Sequence, residues 1–111
     1  TSWSMRVSGA DGAPHTAFFH CSSTVGGQSL APEAYPGMVS AFRQTFERLR
    51  TQRADILLAN HDGLFDLHAK RARQLAGDAN AFVDPDELQT LNTSMAQAFE
   101  AELTRQQSAA N

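Results

Sequence analysis

The chain predicts a layered α/β domain, and three observations lead there. Two extended, β-rich segments open it, amphipathic helical periods start at Tyr35 and Leu88, and a continuous apolar run occupies 54–60 between them. Helices that bury one stripe, beside a strand whose centre (56–59) is apolar throughout, are satisfied when helices cover a sheet. The 111 residues fit one small domain or part of a larger one, and 41% hydrophobic with 19% charged residues excludes a disordered chain. A net charge of −3 leaves no basic footprint for nucleic acid. No apolar run approaches the ~20 residues that span a bilayer, so a membrane partner is not expected either.

The elements follow in order. "TSWSMRV" (1–7) alternates and carries β-formers, "SGADGAP" (8–14) is dense in turn residues, and "HTAFFHCS" (15–22) resumes an extended aromatic pattern. Together they predict a hairpin. "STVGGQSLAPEAYPG" (23–37) has two glycines, two prolines and no helical period, and reads as a long loop of the kind that often carries function. Tyr35, Met38, Val39, Phe42, Phe46 and Leu49 then fall on one helical stripe, with Arg43, Glu47, Arg48 and Arg50 opposite.

"ADILLAN" (54–60) reads as an interior strand covered on both sides. A helix after Gly63 carries Leu64, Leu67, Arg71 and Leu75, with Gly77 as its stop. Lys70, Arg71 and Arg73 form its solvated face. In "VDPDELQ" (83–89), Asp84 reads as an N-cap, Pro85 as the first helical residue, and Glu87 as the third member of a capping box. Leu88, Leu91, Met95, Phe99 and Leu103 continue that last helix, and the polar tail "QQSAAN" is expected to fray. Three strands and three helices leave apolar faces that require a further layer.

His61 is the strongest candidate for chemistry. It ends the apolar run among Asp62, Gly63 and Asp66, and a neutral imidazole held at a strand end suits zinc. The competing reading is a strand-end histidine bonded to backbone. His68 shares a face only with neighbours on its own helix, while His15 and His20 flank an aromatic strand as structural or solvent-facing groups. No H-x-H, H-E-x-x-H or C-x-x-C pair occurs, so these residues alone do not complete a metal site. The lone Cys21 excludes an internal disulfide and reads as a small half-buried side chain. Ser22, Ser23 and Thr24 place hydroxyls where the second strand enters the long loop. There they bind a carboxylate or merely cap the turn. The absence of a G-x-S-x-G elbow argues against a serine nucleophile.

"TSW", "FFHCSSTV", "YPGMVSAFRQTFERLR" and "ADILLANHDGLFDLHAKRARQLAGDANAFVD", in that order, resemble the C-terminal part of subclass B3 metallo-β-lactamases. The resemblance covers essentially all of the chain. It implies that residues 1–111 are the second αβ half of one αββα sandwich domain, beginning just past the middle histidine ligand. It also implies two zinc ions, a β-lactam antibiotic as substrate, a role in antibiotic resistance and a periplasmic or secreted location.

Residue by residue, His61 matches the last histidine ligand of the second zinc. Ser22 matches a position lining that site, where other subclasses place a cysteine ligand. Thr24 matches a hydroxyl that holds the substrate carboxylate, with Ser22 beside it. Ser22 and Thr24 are therefore expected to face the same cleft as His61. No catalytic residue is assigned, the remaining ligands are expected in a missing N-terminal half that acts as partner, and this segment alone is expected to be inactive. The alternatives are a hydrolase of the same fold acting on a lactone or thioester, and a non-catalytic α/β interaction domain.

Overall fold

The computed structural model describes residues 2–10, 12–21 and 23–110. In chain order these form β1 (Trp3–Ser8), β2 (Pro14–His20), α1 (Met38–Arg50), β3 (Ile56–Ala59), a one-turn 3₁₀ helix (Asp62–Leu64), α2 (Leu67–Leu75) and α3 (Glu87–Ala110). The mixed α/β class is as predicted. The described residues group into two compact units, one within 1–22 and 53–90, the other within 23–52 and 91–111.

In the first unit, β1 and β2 pair antiparallel from Trp3 opposite Phe19 to Ser8 opposite Pro14, which is the predicted hairpin. Gly9 N–H donates to the Ala13 carbonyl at 2.8 Å to close the turn. β3 pairs parallel with β2, Ala17 opposite Ile56 and His20 opposite Ala59. The strand order is β1-β2-β3. The interior placement expected for 54–60 is therefore corrected: among the described residues β3 lies at the sheet edge, flanked beyond only by the single bridge from Ile56 to Val83. Its burial also alternates, with Leu57 and Ala59 buried and Ile56 and Leu58 half-buried. An all-apolar run cannot reveal which face is covered, because every position satisfies either choice. The half-buried side carries Phe19, stacked on Trp3 with ring centroids 5.3 Å apart, and there Trp3 and Met5 remain 50% and 49% exposed.

α2 departs from its predicted faces. Asp66 adopts a left-handed conformation (φ 55°) and separates the 3₁₀ turn from α2, so Leu64 is not part of that helix. Leu75, assigned to the apolar stripe, is 71% exposed, whereas Lys70, assigned to the solvated face, is buried. Starting the helix three residues later rotates its covered side onto Leu67 and Lys70, and a carboxylate and two aromatic rings make burial of the ammonium tolerable. Gly77 (φ 109°) ends the helix as expected, with Asp78 N–H reaching the Arg73 carbonyl at 3.0 Å.

The capping box before α3 is also corrected. Asp84 turns the chain by accepting from Asp86 N–H at 2.9 Å, but its own N–H donates to the Asp55 carbonyl at 2.7 Å. That donor is no longer open to Glu87, whose carboxylate pairs with Lys70 instead.

The second unit is built around Leu30, Met38, Phe46, Phe99 and Leu103, with Phe42 and Met95 packed against them. The predicted stripes of α1 and α3 supply most of this core. Tyr35, the predicted start of the first stripe, lies outside α1 and is half exposed, because Gly37 (φ 86°) breaks the helical path ahead of Met38. Residues 23–37 form a loop as expected, with one isolated bridge between Leu30 and Glu33. Of the tail expected to fray, residues 106–110 instead continue α3 to Ala110, and Asn111 lies outside the described residues.

Candidate functional site

Parallel pairing with β2 ends at Ala59, and two residues later His61 continues in extended backbone (φ −122°, ψ 127°). Its carbonyl accepts from Leu64 N–H at 3.1 Å, so His61 is the residue on which the 3₁₀ turn is wound. The side chain is exposed, and among the described residues the ring has no hydrogen-bond partner. It lies neither in a helix nor in the core. An exposed imidazole on a fixed strand end has the donor chemistry of a zinc ligand.

Of the carboxylates that follow, Asp62 is already occupied. Asp62 accepts from His68 across 2.8 Å, a contact the sequence reading missed by confining His68 to helix neighbours. The left-handed Asp66 turns α2 back toward the 3₁₀ segment and makes a pair six residues apart possible. The hydrogen bond from His68 holds the Asp62 carboxyl below its ordinary range. Among the described residues no group of three or more His, Cys, Asp or Glu side chains could hold a metal. His61 is thus one donor, whereas a zinc site needs three or four protein ligands.

The other histidines of this unit are structural. His15 Nδ1 pairs with Asp55, and Asp55 Oδ1 also accepts from Thr16 N–H at 2.6 Å, so β2 and the start of β3 share one carboxylate. Burial raises the pKa of Asp55, but the hydrogen bonds from His15 and Thr16 outweigh it, leaving the carboxyl below its usual range. His20 is buried, and that burial pushes its imidazole below its ordinary pKa. Cys21 is half-buried, with its N–H on Ser2 Oγ at 3.1 Å.

Of the hydroxyl candidates, Ser22 lies outside the described residues. Thr24 is exposed and belongs to the second unit, whereas His61 belongs to the first. Thr24 lines a pocket of about 380 Å³ with Ser23, Gly26 and Gly27 on one wall and Met95 and Phe99 on another. Glu102 at its rim is pushed down to a pKa of about 2 by hydrogen bonds from Arg105 and Gln106, and stays anionic.

Gln106 was missed entirely. Its Oε1 accepts from Leu30 N–H at 2.5 Å and Ala31 N–H at 3.2 Å, while Nε2 donates to the Gln28 carbonyl at 3.1 Å. One amide on α3 therefore holds the long loop. The only signal available was a polar tail without prolines, which is weak.

No protein-family model matches the chain, and no curated protein does. Solved structures match it closely. BJP-1, a subclass B3 metallo-β-lactamase of Bradyrhizobium japonicum, is 33% identical with a TM-score of 0.91, over 99% of this chain and 42% of that one. A metallo-β-lactamase of Cronobacter sakazakii with a HARLDQ motif is 37% identical with a TM-score of 0.81, over 94% of this chain and 40% of its own. FEZ-1 metallo-β-lactamase from Legionella gormanii is 30% identical with a TM-score of 0.89, over 96% and 41%. The chain thus spans about two-fifths of the length of the solved structures it matches, and over that stretch it is similar in fold and sequence to metallo-β-lactamases, BJP-1 of subclass B3 among them.

Proposed function

We propose that residues 1–111 form the C-terminal half of a metallo-β-lactamase domain, and that the complete protein hydrolyses the β-lactam ring of antibiotics with two zinc ions. The observation that carries this reading is the match to BJP-1 over 99% of the chain at 33% identity, together with the exposed imidazole of His61 at the end of β3. Bound zinc supplies Lewis acidity toward a carbonyl and activates water at neutral pH.

In this reading the residues of the chain have limited and separate tasks. His61 donates one nitrogen to the second zinc from a backbone held by the sheet on one side and the 3₁₀ turn on the other. Thr24 and Ser22 hold the substrate carboxylate through hydroxyl donors. The remaining metal ligands come from protein outside these 111 residues, because one histidine cannot hold zinc alone. A periplasmic or secreted location and a contribution to antibiotic resistance belong to the same reading. Among the described residues no helix is long and apolar enough to cross a membrane.

The test uses the full-length protein. Zinc content near two per molecule and hydrolysis of nitrocefin are expected, and His61→Ala should lose about one zinc with an activity loss of at least ~100-fold, the scale of removing a metal-site group. Hydrolysis of a lactone or thioester with no effect on nitrocefin would redirect the substrate assignment. A protein that binds no zinc would overturn the zinc-hydrolase reading.

A further inference from the structure

The burial of Lys70 has a use beyond packing. Its side chain is 4% exposed, its Nζ pairs with Glu87, and the ammonium lies 5.5 Å from the Phe65 ring centroid and 5.9 Å from that of Phe82. A buried ion pair is a poor source of net stability, since desolvation offsets most of the attraction, but a lone buried charge is strongly disfavoured. Such a pair admits few arrangements of its surroundings. Here it ties together three pieces of chain: the turn ending at Phe65, the segment carrying Phe82, and the first turn of α3.

The first of these pieces leads to His61. Phe65 is buried and closes the 3₁₀ turn, its N–H on the Asp62 carbonyl at 3.4 Å and Leu64 N–H on the His61 carbonyl at 3.1 Å. Lys70 N–H in turn bonds the carbonyl of the left-handed Asp66 at 3.1 Å. Phe65 is the first buried side chain after His61, four residues on, and the ammonium of Lys70 sits over its ring.

We infer that Lys70, through Glu87 and Phe65, is a positioning residue that holds the His61 backbone in the geometry a metal ligand needs. The inference rests on the proposed role of His61, yet its mechanical part can be measured without metal. Lys70 touches no substrate and is not a catalytic residue. Groups that hydrogen-bond a ligand directly alter metal affinity by about 10–100-fold, which bounds from above what Lys70 does through the turn.

The experiment compares full-length wild-type protein with Lys70→Arg, Lys70→Met and the double variant Lys70→Met/Glu87→Met. The double variant leaves no unpaired buried charge and so is expected to fold even where the single one does not. In metal-free protein, the Leu64 and Phe65 amides of the double variant should exchange at least ~10-fold faster, while the β3 amides keep their protection. Zinc titration against a chelator should show one of two sites weakened, by no more than about 100-fold, with Lys70→Arg close to wild type. Unchanged exchange at Leu64 and Phe65 would overturn the inference, and so would equal acceleration across β2 and β3, which marks a general structural role. A His61→Ala control separates the two readings. If it leaves zinc binding unchanged while the double variant still loosens the turn, the metal assignment fails and the positioning stands. If it costs a zinc while the double variant changes neither exchange nor affinity, the positioning fails and the metal assignment stands.

Discussion

Replacing Gln106 by alanine should release the loop that carries Thr24. The side-chain amide is saturated: two backbone N–H groups on Oε1, and the Gln28 carbonyl and Glu102 Oε1 on Nε2, the latter at 3.0 Å. Truncation strands these groups unequally. Leu30 is buried, so its N–H loses a partner where water does not easily reach, at about 1–3 kcal/mol. Ala31 is half-buried and the Gln28 carbonyl belongs to an exposed residue, so each is partly rehydrated and together they cost about 1 kcal/mol. The expected loss is about 2–4 kcal/mol, a large fraction of the 5–15 kcal/mol typical of a domain. Methionine at the same position keeps the stem and should lose nearly as much, which separates hydrogen bonding from packing.

Urea unfolding of the full-length protein measures the loss, and limited proteolysis locates it. New cleavage should appear within residues 23–37 under conditions that leave the wild type intact. A stability change below about 0.5 kcal/mol in both variants, with the loop still resistant, would refute the reasoning. It would mean that the apolar anchors Leu30 and Val25 hold the loop without the amide.

Two further outcomes follow from the same geometry. Phe99 is 1% exposed, with ring centroids 5.0 Å from Phe42 and 5.6 Å from Phe46, so Phe99→Ala should destabilise by about 3–5 kcal/mol in urea unfolding. A loss near 1 kcal/mol would show that the cluster collapses into the space. Burial lowers the His20 pKa below its ordinary 6.5, so the unfolded chain binds more protons than the fold between the two values. The contribution is complete above about pH 6.5 and is lost as pH falls toward the folded value. Metal-free protein should therefore unfold at lower urea at about pH 5.5 than at about pH 7.5, and His20→Gln should flatten that slope.

What the sequence revealed and what it withheld divide along one physical line. Apolar periodicity located α1 and α3 and the core residues Met38, Phe46, Phe99 and Leu103, because a stripe of large side chains has only one way to leave water. Turn chemistry gave the β1–β2 hairpin and the stop at Gly77 for a similar reason, since few residues adopt those backbone shapes. Besides the edge position of β3 and the exposed Leu75 and Tyr35, the differences concern polar side chains. By pattern Lys70 reads as solvated, Glu87 as a cap and Gln106 as part of a loose tail, and each instead closes a tertiary contact. A hydropathy pattern treats every polar position as facing water, although a lysine or glutamine with its partners in place is as well satisfied inside.

The same blindness bears on the site. His61 was legible because an apolar run ended on it, but what holds its backbone was not, since Phe65, Lys70 and Glu87 meet only after the left-handed Asp66 has turned α2. Proximity at that point is a consequence of folding rather than of spacing. A zinc ligand needs only a ring and a lone pair, and any histidine supplies those. What distinguishes His61 from His68, seven residues on, is that His68 is paired with Asp62, whereas the exposed His61 ring follows the end of β3 with no hydrogen-bond partner among the described residues.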